Sequence, residues 1–246
     1  MDTFKMQVPD GVEDCLPAEC YIKKTMEAAL RRRFVLSGYD EVETPTYEYL
    51  DVFQSGVGAY MQESMIKFVG PSGRILVLRP DLTVPIARLV ATKFPAGGIK
   101  RLFYIQNSYA AAEPAIGKAG EFTQAGIELI GDASCAADAE VIALAVRALQ
   151  TAGLKTFTID IGQVAYFKAL VSGLELDEAQ TDALRRAVDS KNAVEIEAMT
   201  ERLGITGRYK EQLLALPNLF GGAEVFDRAL ALSDEAGCRE AVENLK

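Results

Sequence analysis

The 246-residue chain contains no histidine and no tryptophan, and only four cysteines. Without imidazole it cannot build a Ser–His–Asp triad, a Cys–His dyad or a histidine metal site. An acid or base drawn from this chain must be a carboxylate, lysine, tyrosine or cysteine. Cys15, Cys20, Cys135 and Cys238 form no C-x-x-C pair. Their spacing suggests neither a zinc site nor a disulfide framework, so no metal is expected. They read as buried or half-exposed thiols in a reducing cytoplasm. No apolar run approaches membrane-spanning length, and the N-terminal MDTFKMQVPDG lacks the apolar core of a signal peptide. The expected location is therefore cytoplasmic. Phosphate loops of the G-x-x-x-x-G-K-[ST] or G-x-G-x-x-G type are also missing, and no cofactor is implied. Basic residues number 26 against 35 acidic, a net charge of −9, which disfavours a surface built to grip nucleic acid.

What is present is ordinary globular composition, 49% hydrophobic and 25% charged, enough for one large domain or two smaller ones. Apolar spacing predicts a helix over 18–36, ended by Gly38. A short strand over 39–44 follows, stopped by Pro45. Residues 65–69 and 75–78 flank Gly-Pro-Ser-Gly as a hairpin. A helix over 83–93, strands over 99–108 and 121–131, a helix over 136–151 and a strand over 156–161 complete the first part. From 164 onward the pattern is short helices broken by Gly, Pro or Asn. The expected division is an α+β domain over 1–163, an antiparallel sheet flanked by helices, and an all-helical segment over 164–246.

The segment 121–131 (EFTQAGIELIG) is the most informative. A strand alternates faces, so Gln124 and Glu128 point the same way with Gly126 between them. A carboxylate and an amide flanking open floor suit a small ligand bearing an ammonium or N–H donor; a solvated sheet face is the plainer alternative. In residues 78–88 (LRPDLTVPIAR), Asp81 and Thr83 fall at a helix start. Their oxygens either cap free N–H groups or accept from a ligand ammonium. Arg79 and Arg88 would hold an anion or pair with surface acids. The loop 110–120 offers one lysine, Lys118, and no arginine, too little to clamp a triphosphate.

In order along the chain, these segments resemble the histidyl-tRNA synthetase-like branch of the class II synthetase fold. The resemblance begins with Asp10-Gly11 and Asp14-Cys15-Leu16-Pro17. Gly38-Tyr39, Thr44-Pro45 and Glu48 resemble motif 1, which in that fold builds a dimer interface. Residues 78–88, 101–104 and 121–131 resemble the amino-acid-binding segment and the motif 2 strands. The departures are specific. Where an active synthetase carries Phe-Arg-x-Glu, this chain has Tyr109-Ala110-Ala111-Ala112, so both the phosphate arginine and the glutamate are alanine. Thr123 replaces the synthetase's histidine.

Arg79-Pro80-Asp81-Leu82-Thr83, with 121–131, is more similar to the regulatory subunits of ATP phosphoribosyltransferase. These are non-aminoacylating paralogues that associate with a short catalytic subunit in the first step of histidine biosynthesis. The resemblance implies a subunit with no catalytic site of its own that senses histidine for feedback inhibition and forms a homodimer. Asp81, Thr83 and Gln124 would contact the ligand's α-amino group, and Glu128 would accept from the imidazole N–H. Neither a nucleic-acid nor a membrane partner is implied. A segment resembling Arg-Gly-Leu-Asp-Tyr-Tyr-Thr-Gly and a motif 3, which would close the pocket and complete the sheet, do not occur before Lys246. The expectation is a C-terminally truncated chain whose helical part is an insertion between motifs 2 and 3. The rival readings are a divergent histidyl-tRNA synthetase fragment and an amino-acid-binding module for another partner.

Overall fold

A computed structural model describes residues 7–9, 11–54, 64–111 and 119–246. Asp10, the G-x-G at Gly56 and Gly58, Ala112 and Lys118 lie outside the described residues. The chain divides into two compact units, Met1–Phe157 and Thr158–Lys246.

The first unit begins with helix α1, Pro17–Leu36. Proline suits its first position, where the N–H has no helical partner. At its end Gly38 takes φ +83°. The Gly38 and Tyr39 N–H groups then donate back to the Val35 and Phe34 carbonyls at 3.0 and 3.2 Å. This double closure needs a left-handed residue, which glycine supplies without a Cβ clash.

Strand β1 (Asp40–Glu41) runs parallel to β5 (Lys100–Tyr109), and β5 pairs antiparallel with β6 (Glu121–Ile130) along its full length. Among the described residues β6 is paired on one side only. A second sheet has the order β2–β4–β3: β2 is Tyr47–Tyr49, β3 is Lys67–Val69 and β4 is Ile75–Leu78. Helices α2 (Asp51–Gln54), α3 (Thr83–Lys93) and α4 (Cys135–Thr151) complete this unit.

The period-two alternation of β5 and β6 decides which helix covers which face. Phe103, Ile105 and Ile127 pack with Phe34, Tyr39 and Leu144, on the side of α1 and α4. Leu102, Tyr104 and Ile130 pack with Leu82 and Ile86, on the side of α3. Gln124, Gly126 and Glu128 share parity with Ile130, so the polar positions singled out in the sequence lie on the α3 side. The opposite side is pinned by a polar tie. Tyr39 Oη and Arg101 Nε both donate to Glu140 Oε1 at 2.9 Å. Those bonds hold the Glu140 carboxyl down to about 2, and burial with the Glu140 hydrogen bond pushes the Tyr39 phenol up to about 12.

The second unit is all-helical: α5 (Val164–Val171), α6 (Glu178–Asp189), α7 (Ala193–Arg202), α8 (Gly207–Ala215), a 3-10 turn (Leu216–Asn218), α9 (Glu224–Leu232) and α10 (Ala236–Leu245). One core of Leu170, Leu184, Ile196, Leu213 and Cys238 joins them. Its buried polar groups are matched: Tyr166 Oη donates to the Ala229 carbonyl at 2.8 Å, and Gln212 Nε2 to that of Leu232 at 2.7 Å.

Several sequence expectations are corrected. Residues 156–161 are not a strand. Their alternation marks a face, but a strand also needs a hydrogen-bonded neighbour. The strand expected over 39–44 shrinks to Asp40–Glu41. The short β2 and α2 carried too little periodicity to read. Cys15 and Cys135 are exposed rather than buried or half-exposed. No helix among the described residues is long and apolar enough to cross a membrane.

Candidate functional site

Asp81 sits three residues after the end of β4, and its Oδ1 accepts from the Thr83 N–H at 2.7 Å. Leu82 is the cap residue of α3 and Thr83 its first helical residue, so Asp81, one position before the cap, satisfies the first free helical N–H. The second carboxylate oxygen is then left to face β6, where Oδ2 accepts from Gln124 Nε2 at 2.9 Å. Gln124 is fixed at its other end, because Ser108 Oγ donates to Gln124 Oε1 at 2.9 Å. Ser108 is fully buried, so this bond has no water to compete with it. Capping and ligand-facing readings of Asp81 are therefore compatible, one oxygen for each.

Glu128 lies two strand repeats further on, beyond Gly126, and is half-buried. Burial pushes its carboxyl up from the usual carboxylate range; a hydrogen bond to Thr83 opposes this and the Asp81 charge adds to it. Among the described residues neither Asp81 nor Glu128 has a cationic partner. Two half-buried carboxylates, one amide oxygen and the Thr83 hydroxyl thus converge with an uncompensated negative charge. Such a cluster attracts a small cation or an N–H donor and repels anions.

The floor between Gln124 and Glu128 is not open, which corrects the expectation from Gly126. In the β5–β6 register Gly126 stands opposite Tyr104. The Tyr104 ring lies across the glycine, so a Cβ there would overlap its Oη and Cζ and come to 3.0 Å from Cε1. Glycine is needed because an aromatic ring covers the backbone. The Tyr104 side chain is only 4% exposed, and its phenol pKa is raised by burial, then by Glu128 and Asp81. Tyr104 and Ser108 are site residues that sequence reasoning missed. The available signal was a tyrosine facing a glycine across a strand pair, which becomes visible only once the register is known.

The two arginines do neither of the things expected of them. Arg79 is 4% exposed and donates to the carbonyls of Thr44, Pro45 and Asn107 at 2.6, 3.0 and 2.7 Å. It ties the lead into β2 to the end of β5, and burial lowers its pKa. Arg88 donates to Glu48 Oε1 from Nε at 3.0 Å and from Nη2 at 2.5 Å. Glu48 is a buried acid, not a surface one. Both arginines therefore build the scaffold behind the site.

At the far end of β5 stands Ala110, where the resemblance to the synthetases would put a phosphate arginine. It is buried, with its N–H donating to the Gly120 carbonyl at 3.0 Å. A methyl group there offers nothing to a phosphate. Among the described residues no group of three or more Cys, Asp or Glu is placed to hold a metal. Elsewhere on this unit an apolar cavity of about 290 Å³ is lined by Val90, Phe94, Lys100, Ile130 and the Gly97–Gly98 turn.

The histidyl-tRNA synthetase family model matches residues 11–246. The chain belongs to the histidyl-tRNA synthetase family. Regulatory subunits are among its relatives in that family. An ATP phosphoribosyltransferase regulatory subunit of Acetivibrio thermocellus is 44% identical over the whole chain, and one of Ruminiclostridium cellulolyticum is 42% identical. The chain spans 59% of the length of each. Among solved structures, a Bacillus halodurans protein described as an ATP phosphoribosyltransferase regulatory subunit/histidyl-tRNA synthetase is 37% identical with a TM-score of 0.86. That match covers 98% of this chain and 63% of the other. A histidyl-tRNA synthetase from Nostoc, at 18% identity and a TM-score of 0.72, shares the fold over 97% of this chain and 56% of its own. The α+β architecture described above is thus that of the class II synthetases.

Proposed function

We propose that this chain is the histidine-sensing part of a non-catalytic regulatory subunit of ATP phosphoribosyltransferase, supporting the first step of histidine biosynthesis. The observation that carries the reading is the cluster of Asp81, Gln124 and Glu128. It is negative, half-buried and without a cation among the described residues. Histidine brings what the cluster lacks. Its α-ammonium would be held by Asp81, Thr83 and the Gln124 oxygen, and its imidazole N–H would donate to Glu128. The names of the similar regulatory subunits support assembly with an ATP phosphoribosyltransferase. Alanine at 110 argues against an adenylate-forming role, because the charge of an α-phosphate would meet no arginine there.

Self-association through motif 1 belongs to the same proposal. Its support is apolar exposure on α1, where Tyr21, Ile22 and Leu36 are 75%, 67% and 71% exposed. Sedimentation of the chain should show a dimer that Ile22→Asp weakens.

The test of the sensing role is calorimetry of histidine with this chain, beside Gln124→Ala. Binding that the substitution weakens is expected. Histidine binding indifferent to Gln124 would remove the site assignment. Co-purification with a short-form catalytic subunit tests the partner, and failure to associate would remove that part alone. The family model's name favours a second reading, a synthetase fragment. Histidine-dependent ATP–pyrophosphate exchange would support it.

A further inference from the structure

The entry to α1 carries chemistry that the ligand cluster does not use. Leu16 is the last residue before the helix. Its N–H donates to Glu19 Oε2 at 3.1 Å, and its carbonyl accepts from the Cys20 N–H at 2.8 Å. Leucine has no acceptor to return, so this is the glutamate half of a capping box, and it fixes the angle at which the chain enters the helix. In that geometry the residue before the cap lies against the fourth helical residue, the pair that ordinarily forms a hydrophobic staple. Here those two positions are Cys15 and Cys20. Cys20 lies near enough to Cys15 to add to burial in raising the Cys15 thiol pKa. Cys15 is exposed and Cys20 half-exposed, so both sulfurs are open to a small reagent. An exposed pair of thiols buries little apolar surface, which makes it a poor staple as packing alone.

We propose that Cys15 and Cys20 form a redox-modification site, a dithiol that closes to an intrachain disulfide on reaction with a low-molecular-weight disulfide. One cysteine thiolate attacks a sulfur of the small disulfide, forming a mixed disulfide and releasing one small thiolate. The second cysteine thiolate attacks the protein-borne sulfur of that mixed disulfide and releases the other small thiolate. The two cysteines lose two electrons and two protons, and the small disulfide gains both as two thiols. The bond would tie residue 15 to the first turn of α1. The lead-in is already held to the site strand, because the Gly120 N–H donates to the Gly11 carbonyl at 2.6 Å, one residue before β6. Closure would therefore stiffen the segment that abuts the start of the strand carrying Gln124.

The test equilibrates the chain with reduced and oxidised glutathione at about 0.1 mM total, followed by alkylation, trypsin digestion and mass spectrometry. Both cysteines fall in one tryptic peptide, residues 6–23, so closure leaves that peptide two hydrogens lighter and unlabelled. A neighbouring thiol acts at an effective concentration of about 1 mM or more, so the internal bond should exceed the mixed disulfide by about tenfold. Cys15→Ser and Cys20→Ser should each abolish closure and leave a single glutathione adduct on the remaining cysteine. Buried Cys238 should stay reduced throughout and serves as the internal control. Independent glutathione adducts on both cysteines of the parent, without the lighter peptide, would overturn the proposal. So would disulfides formed only between chains.

Discussion

Gly126→Ala tests the packing that shapes the site. The added methyl would meet Tyr104 Oη and Cζ well inside contact distance. Ordinary carbon contacts are about 3.5–4.0 Å, so the ring or the strand must move by roughly 1 Å. Tyr104 has little freedom to move, being buried among Leu82, Ile86 and Leu102. Overpacking of this kind costs about 1–3 kcal/mol. The backbone works the other way, since alanine in place of a strand glycine recovers about 0.5–1 kcal/mol. The expected net loss is about 1–2 kcal/mol. Urea unfolding followed by circular dichroism would measure it, and hydrogen exchange of the β5 and β6 amides would assign it to the first unit. Tyr104→Ala removes the obstacle but opens a cavity, at about 3–5 kcal/mol. If the clash is the cause, the double variant should cost less than the sum of the two by about 1–2 kcal/mol. An additive double variant, or a Gly126→Ala chain as stable as the parent, would refute the reasoning.

The other expectations follow from charge and hydrogen bonding. Glu128→Gln should weaken histidine binding by about 10–100-fold, the loss of one charge-assisted hydrogen bond, in calorimetry. The same change should leave stability at pH 7 unchanged or raised. A carboxyl whose pKa is raised on folding favours the fold below its unfolded value and costs stability above its folded one. Glu140→Gln should flatten the acid limb of a stability–pH profile. The stabilisation from Glu140 is present above its ordinary value of 4.5 and is lost as pH falls toward about 2, so only the parent should show that decline. Arg79→Lys keeps the charge but not the fork. Losing about two of three charged hydrogen bonds should cost about 3 kcal/mol in urea unfolding, with histidine affinity reduced less than by Gln124→Ala.

The parts of this architecture carried by periodicity could be read from the chain. The long helix ended at Gly38, the paired strands of β5 and β6 and the short helices after 164 all bury one repeating face. The partition of Ile127 from Glu128 follows from parity alone. What escaped the sequence depends on partners distant along the chain. Gly126 reads as empty space until the register sets Tyr104 over it. Arg79 and Arg88 read as available cations because their acceptors lie 28 to 40 residues away. Residues 156–161 alternate like a strand without a neighbour to pair with. Asp81 reads as either cap or ligand contact because a carboxylate has two oxygens, and only the fold assigns one to each task.

The guanidinium of Arg79 bears on the lifetime of the first unit. Its acceptors are peptide carbonyls at separations of 28, 34 and 35 residues, so its bonds close only after the approach to β2 and the end of β5 have come together. Contacts that form after the folding transition state raise the barrier for leaving the native state without changing the rate of reaching it, and we expect the Arg79 bonds to be of this kind. Arg79 thus works as a latch: weakening it should speed unfolding and leave refolding nearly untouched. Removing it would shorten the time for which the sheet beneath Asp81 and Gln124 stays closed without changing the route by which it forms.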